Sequence, residues 1–255
     1  MNTRANFHRL HKEIMDFYCH VKPTEFENSV RSDLVSRLRA SVRYKWKDAN
    51  IHPFGSFVAG LYLPTADMDL VFVSDAYLSG KPGIYNTKKS LWKFHDYLIS
   101  EGIPITGSVE VISKAKVPLV KYVDKRTGLR VDVSFENDTG LTANTTFKDW
   151  KTQYPAMPIL VTLIKQLLAM RGLNEPVNGG IGGFSVTCLV ISLLQLLPQV
   201  QSGNMIAEHH LGEILMEFLD LYGNEFNAVT TAIQFDPPGY VPKVRLSILF
   251  TVTNN

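Results

Sequence analysis

IHPFGSFVAGLYLPTADMDLVFVS, residues 51–74, decides how the rest of the chain is read. A Gly55-Ser56 turn is followed by Asp67-Met68-Asp69 at the head of an apolar run. Successive side chains on a strand point to opposite faces. Asp67 and Asp69 therefore share one face, while Met68, Leu70 and Phe72 take the other, toward a core. Two carboxylates on one face make a hard-oxygen donor set suited to Mg²⁺. Gly55 and Ser56 offer a flexible backbone N–H and a hydroxyl, the groups that receive a phosphate chain. The competing reading is a hairpin with two solvated aspartates; the glycine–serine pair upstream tells against it.

A third carboxylate lies downstream. In LRVDVSF, residues 129–135, apolar positions 131, 133 and 135 alternate with polar 130, 132 and 134, so Asp132 projects away from the core side. Aspartate is disfavoured in a Val-rich strand, and a metal shared with Asp67 and Asp69 compensates it. A surface strand that merely carries Asp132 beside Arg130 is the alternative. Three carboxylates can hold two metals roughly 4 Å apart, one activating a hydroxyl and one offsetting charge on a leaving group.

Outward from this stretch, the N-terminal side reads as helices over Leu10–His20 and Glu25–Asp48, the second with Val30, Leu34, Leu38 and Val42 in register. Strands are expected over His52–Ser56 and Asp67–Ser74. A helix capped by Asn86 or Thr87 follows, carrying Leu91, Phe94 and Leu98. Next come a strand over Val109–Ile112 and a hairpin with arms Val117–Val123 and Leu129–Phe135, turned at residues 124–128. After about Gly140 the texture becomes helical. One helix opens at Pro155 or Pro158 and ends before Gly172, one runs from Gly182-Gly183 to Pro198, and one spans His209–Tyr222. Residues 23–140 and 141–255 are thus expected as two domains, the second helical and completed by the N-terminal helix 1–22.

Lys165 sits in a helix apolar nearly all round, where it must snorkel or meet an anion. A triphosphate and a solvated helix edge are the two readings. Asn178–Ser185 is a glycine-rich turn opening a helix, read either as an anion-binding N-terminus or as a tight turn. Phe184 suits base stacking and a core position equally well. Lys114, Lys116, Lys121, Lys125 and Arg126 make the hairpin basic, to track RNA or to protect a strand edge. His209-His210 lack the ligand spacing of a metal site. A net charge of +2 does not demand nucleic acid. Cys19 and Cys188 have no C-x-x-C partner, against a zinc ribbon or a disulfide framework. The first residues hold charges and no apolar core, so no signal peptide is expected, and no apolar run reaches membrane length.

LYLPTADMDLVF, KVPLVKYVD…LRVDVSFEN, LVTLIKQLLAMRGLNEPVNGGIGGFS and LDLYGNEFN together resemble the noncanonical poly(A) RNA polymerases of the TRAMP complex, in the DNA polymerase β-like nucleotidyltransferase superfamily. The resemblance runs from about Leu10 to about Lys243. It implies an α+β fold: a nucleotidyltransferase palm, with a mixed sheet and flanking helices, beside a helical PAP-associated central domain, with ATP in the cleft between. It implies template-independent addition of AMP to RNA 3′ ends in nuclear RNA surveillance. By position, Gly55 and Ser56 hold the triphosphate. Asp67, Asp69 and Asp132 bind two Mg²⁺ or Mn²⁺ ions, with Asp132 placed to help activate the RNA hydroxyl. Lys165 contacts the phosphates and Phe184 stacks on the base. Gly183 stands where relatives often carry a serine, and Asn144 lies one position from a ribose-contacting Asn of the wider group. The implied partners are a zinc-knuckle RNA-binding protein and an RNA helicase, and the implied location is the nucleus, including the nucleolus. The tail Lys243–Asn255 departs from the family, as in a C-terminally truncated chain. Terminal uridylyl transfer and a catalytically silent partner-binding protein remain the alternatives.

Overall fold

A computed structural model of the chain describes residues 3–244. The chain divides into two compact units: Lys22–Lys148, and a second formed by helix α1 (Thr3–Val21) with the chain from Asp149 onward. The division falls inside a helix, α6 (Thr139–Gln153).

The first unit is built on a five-stranded mixed sheet of order β1-β2-β5-β4-β3. Its strands are β1 (Ala49–Pro53), β2 (Met68–Ser74), β3 (Glu110–Ile112), β4 (Leu119–Val123) and β5 (Arg130–Phe135). Only β2 and β5 pair in parallel; the other pairs are antiparallel. One face carries the core. Met68, Leu70, Phe72, Val131 and Val133 pack with Leu34, Leu38 and Val42 of α2 (Glu25–Lys45) and with Leu91, Phe94 and Leu98 of α5 (Lys88–Ser100). Phe72 is its aromatic hub, with ring centroids of Trp46, Tyr85, Phe94 and Phe135 at 5.4, 5.1, 5.7 and 5.3 Å. Such pairs contribute about 0.5–1.5 kcal/mol each beyond area burial.

Local chemistry sets the helix ends. Thr24 and Glu27 close a reciprocal capping box at the start of α2, each side chain accepting the other residue's backbone N–H. Thr87 Oγ1 accepts the Ser90 N–H to start α5. The helix expected to reach Asp48 stops at Lys45, and its buried stripe is Arg31, Leu34, Val35, Leu38 and Val42 rather than one led by Val30. The strand expected over His52–Ser56 ends at Pro53. Gly55, at φ +68°, turns the chain into a single helical turn, α3 (Gly55–Ala59). A second short helix, α4 (Asp75–Leu78), follows β2, capped by the Ser74 hydroxyl, which accepts the Tyr77 N–H. Beyond β5 the buried Glu136 carboxylate accepts the Ser74 hydroxyl and the Tyr85 N–H, both at 2.6 Å. It ties the loop before α5 to the ends of β2 and β5.

The second unit is not purely helical. Besides α1, α7 (Met157–Met170), α8 (Gly183–Leu196), α9 (Pro198–Gln201) and α10 (Leu211–Asp220) it contains an antiparallel hairpin, β6 (Thr231–Phe235) and β7 (Pro238–Pro242). Gly212 lets α1 and α10 come close: a Cβ there would stand 2.7 Å from the Phe7 carbonyl oxygen. From Arg245 the tail lies outside the described residues. Among those described, no helix is long and apolar enough to cross a membrane.

The α1–α10 junction is expected to respond to pH. His11 Nδ1 accepts the Leu211 N–H at 3.4 Å, which needs an unprotonated nitrogen. Burial first, and then the charges of His8, His209 and His210, hold the His11 pKa below its ordinary 6.5. A histidine depressed on folding binds fewer protons folded than unfolded, so its contribution is present above 6.5 and is lost as pH falls through the folded value. Acidification from about pH 7.5 to about pH 5.5 should therefore lower the melting temperature. His11→Gln should remove part of that dependence, as thermal melts across the range would read.

Candidate active site

Five of the expected site residues come together in the first unit. Asp69 and Asp132 are register partners on the adjacent parallel strands β2 and β5. Lys121 of β4 is the next partner of Asp132, and Glu110 of β3 the next partner of Lys121. One charged row thus crosses the sheet on the face opposite the core. Neighbouring strands lie about 4.8 Å apart, and like charges directly opposite destabilise a sheet. The pair Asp69/Asp132 therefore calls for a cation. Asp67 precedes β2 and sits on the loop, not in the strand.

Cations of the chain serve that need. Arg130 Nε donates to Asp67 Oδ1 at 2.6 Å, and Lys121 Nζ donates to Asp132 Oδ2 at 2.7 Å. The Asp67 side chain is 36% exposed and that of Asp132 20%, so solvent reaches both pairs. Such pairs are worth roughly 0–1 kcal/mol, little enough for an entering cation to displace. Lys121, read from sequence as part of a basic hairpin, is thus a counterion of Asp132, and Arg130 of Asp67.

The Gly55-Ser56 turn abuts these carboxylates. The Phe54 N–H donates to the Asp69 carbonyl at 3.0 Å. A Cβ on Gly55 would stand 2.8 Å from Asp69 Oδ2. The turn is held by Asn144, whose side-chain oxygen accepts the Gly55 N–H at 3.2 Å while its amide lies 3.5 Å from the Pro53 carbonyl. Asn144 thus acts on the turn.

Among the described residues, no three His, Cys, Asp or Glu side chains are disposed as a ready metal cage. The donor set nevertheless fits a divalent cation. It is all oxygen, two of its carboxylates oppose each other in register, and two side-chain cations already balance it. Cys19 and Cys188 are both free thiols, with burial pushing Cys188 up to about 11.

Lys165 and Phe184 belong to the second unit, where the Lys165 side chain lies against Gly183, the residue before Phe184. A Cβ on Gly183 would be 3.3 Å from Lys165 Cε and 3.5 Å from its Nζ, at the start of α8. Phe184 is 60% exposed, so it is not a core residue. The glycine run serves a tight turn: Ile181 N–H donates to the Leu173 carbonyl, and a Cβ on Gly180 would reach that oxygen at 2.5 Å.

Sequence reasoning missed Asn144's contact and Arg31. The latter was detectable, since a basic residue on the buried stripe of a helix needs partners.

Comparison with known proteins places these observations. Residues 10–151 match the model of the poly(A) RNA polymerase, mitochondrial-like, central palm domain, and residues 210–254 match that of the Cid1 family poly A polymerase. Poly(A) RNA polymerase cid14 of Schizosaccharomyces pombe is 39% identical over 216 residues, 85% of this chain and 31% of that protein. Poly(A) RNA polymerase protein 2 of Saccharomyces cerevisiae is 35% identical over 244 residues, 95% of this chain and 40% of that protein. The chain thus spans between about a third and two-fifths of the length of these curated relatives. A solved structure of the polymerase core of TRAMP, an RNA surveillance complex, superposes with a TM-score of 0.81 at 34% identity, covering 93% of this chain and 72% of that one. The α+β fold, with its mixed sheet and flanking helices, is that of a polymerase-β-like nucleotidyltransferase core.

Proposed function

From the premise that this chain belongs to the poly(A) RNA polymerase family of the mitochondrial-like central palm domain, we propose that it adds AMP from ATP to RNA 3′ ends without a template. The observation that carries this reading is the register pairing of Asp69 with Asp132 beside the Gly55-Ser56 turn. In the reaction the RNA 3′-oxygen bonds to the α-phosphorus of ATP, the bond from that phosphorus to the bridging oxygen breaks, and pyrophosphate leaves with its electron pair. The 3′-hydroxyl proton passes to solvent or to a carboxylate.

Asp67, Asp69 and Asp132 are the residues that would hold Mg²⁺ or Mn²⁺. Bound there, the ions would supply Lewis-acid charge at the reacting phosphate and offset charge on the pyrophosphate. Asp132 helps to activate the 3′-hydroxyl. Gly55 and Ser56 receive the triphosphate through backbone N–H and hydroxyl. Lys165 meets its phosphates, and Phe184, already exposed, stacks on the adenine. Gly183 leaves α8 without the serine hydroxyl that relatives often place there. The reading extends to a zinc-knuckle RNA-binding protein and an RNA helicase as partners, and to RNA surveillance in the nucleus, in keeping with the similarity to the TRAMP polymerase core.

The test is extension of a labelled RNA primer by the purified chain, with Mg²⁺ or Mn²⁺ and each nucleotide in turn. A ladder with ATP that Asp67→Ala and Asp69→Ala both remove is the expected result. A ladder with UTP alone makes the chain a terminal uridylyltransferase. No ladder from protein shown to be folded overturns catalysis and favours a silent, partner-binding role.

A further inference from the structure

Asp67 owes its place to the loop that delivers it. Residues 60–67 run from the end of α3 to the start of β2, and this loop is fastened from α2. Arg31 is 2% exposed. Its Nη2 donates to the Ala66 carbonyl at 3.0 Å and lies 3.4 Å from that of Pro64. Its guanidinium carbon sits 4.3 Å from the centroid of the Tyr62 ring, and the Tyr62 hydroxyl donates back to Asn28 of α2 at 2.8 Å. Arg130 takes the intervening Thr65 carbonyl at 3.2 Å with the same side chain that pairs with Asp67. The loop is tied at its other end by the Leu61 N–H, which donates to the Ser56 carbonyl at 2.8 Å.

Burying a guanidinium is costly unless its environment compensates it. Here burial lowers the Arg31 pKa, while Tyr62, Glu27 and Asp67 favour the charged form. A hydrocarbon side chain at this position would fill the α2 stripe without the desolvation cost, so packing alone gives no reason for arginine. One guanidinium nitrogen, Nη2, reaches both carbonyls while the guanidinium carbon lies over the Tyr62 ring and Nη1 stays buried without a hydrogen-bond partner; leucine makes none of these polar contacts, and lysine lacks the flat group that sits on the ring. What Arg31 bridges is the last loop turn before the Asp67-Met68-Asp69 segment.

We propose that Arg31 is a positioning residue for the carboxylate site: by clamping the carbonyls of Pro64 and Ala66 and stacking on Tyr62, it holds Asp67 and Asp69 in the disposition that takes up a divalent cation. This rests on the reading of Asp67, Asp69 and Asp132 as a metal site. It assigns to α2, on the core side of the sheet, a share in the affinity of a site on the opposite face.

Arg31→Met and Arg31→Lys test it, in the full chain, with circular dichroism and thermal melting to select conditions where each variant is folded. Mn²⁺ uptake, followed by the electron paramagnetic resonance of the free ion, should weaken about tenfold or more in Arg31→Met, the usual cost of losing a group that orients metal ligands. Arg31→Lys, which keeps the charge and can reach one carbonyl, should fall between that variant and the wild type. Amide hydrogen exchange at Leu61 and Ala66 should quicken in Arg31→Met while α2 and β2 stay protected. A folded Arg31→Met that takes up Mn²⁺ as the wild type does overturns the proposal, whatever its melting temperature, since a merely structural role lowers stability and leaves the affinity alone. If the wild type itself shows no Mn²⁺ uptake that Asp69→Asn removes, the metal reading is what fails. The exchange of Leu61 and Ala66 then decides on its own whether Arg31 clamps the loop.

Discussion

Replacing Asp132 by Ala is expected to cut AMP incorporation by at least about a hundredfold, the scale for losing a side chain positioned to act on the proton of the reacting hydroxyl, while the protein still folds. The two effects separate because the Asp132 carboxylate does little for the sheet. Its pairing with Lys121 joins a 41% exposed lysine to a 20% exposed aspartate, so losing it costs about 1 kcal/mol at most. Its removal also relieves the in-register opposition of Asp69 and Asp132, two like charges on neighbouring strands. Alanine leaves Val131 and Val133, which carry the core side of β5, untouched. Primer extension beside a thermal melt reads both sides. A variant that keeps its rate within about tenfold of wild type, against the hundredfold expectation, sinks the role given to Asp132. A variant that fails to fold shows that the row across the sheet contributes more to stability than its exposure implies.

The part of this site that sequence could reveal is the part that depends on alternation. Met68, Leu70 and Phe72 follow a period of two into the core, which leaves Asp69 on the other face. The same logic carries Asp132 away from Val131 and Val133. That Asp69 and Asp132 oppose each other is a different kind of fact. It follows from a parallel pairing of strands far apart in the chain, and no local pattern encodes a register. The contacts of Arg31 and Asn144 escape for the same reason, since each reaches a backbone carbonyl or N–H in a distant segment. Lys121 reads as part of a basic hairpin and Arg130 as a neighbour of Asp132 on a polar strand face, because their partners are supplied by register and by the loop before β2. The helix α3 is a single turn, too short for a periodic signal. The hairpin β6–β7 was lost because its first strand is half-buried throughout and shows no alternation of buried and exposed positions.

Gly55 offers the sharpest test of the geometry, because the chain contains its own control. Gly55 has φ +68° and Gly128, at the β4–β5 turn, has φ +72°. Alanine at either position meets the steric cost of the left-handed region, about 1–2 kcal/mol. The surroundings differ. A Cβ at Gly128 meets nothing within 4 Å, whereas at Gly55 it comes to 2.8 Å from Asp69 Oδ2, closer than side-chain carbons approach. The added methyl must push the Asp69 carboxylate aside or tilt the turn that Asn144 holds. Gly55→Ala and Gly128→Ala should therefore lose similar stability, while only Gly55→Ala loses catalysis, by about a hundredfold for a displacement on the order of 1 Å. Melting curves should show the common strain, and primer extension the divergence. Equal activity in the two variants would mean that Asp69 can swing clear of the turn and still work, and the close approach of Gly55 would then be a matter of folding alone. Loss confined to Gly55→Ala, at matched stability, would tie the glycine to the position of the carboxylate that faces it.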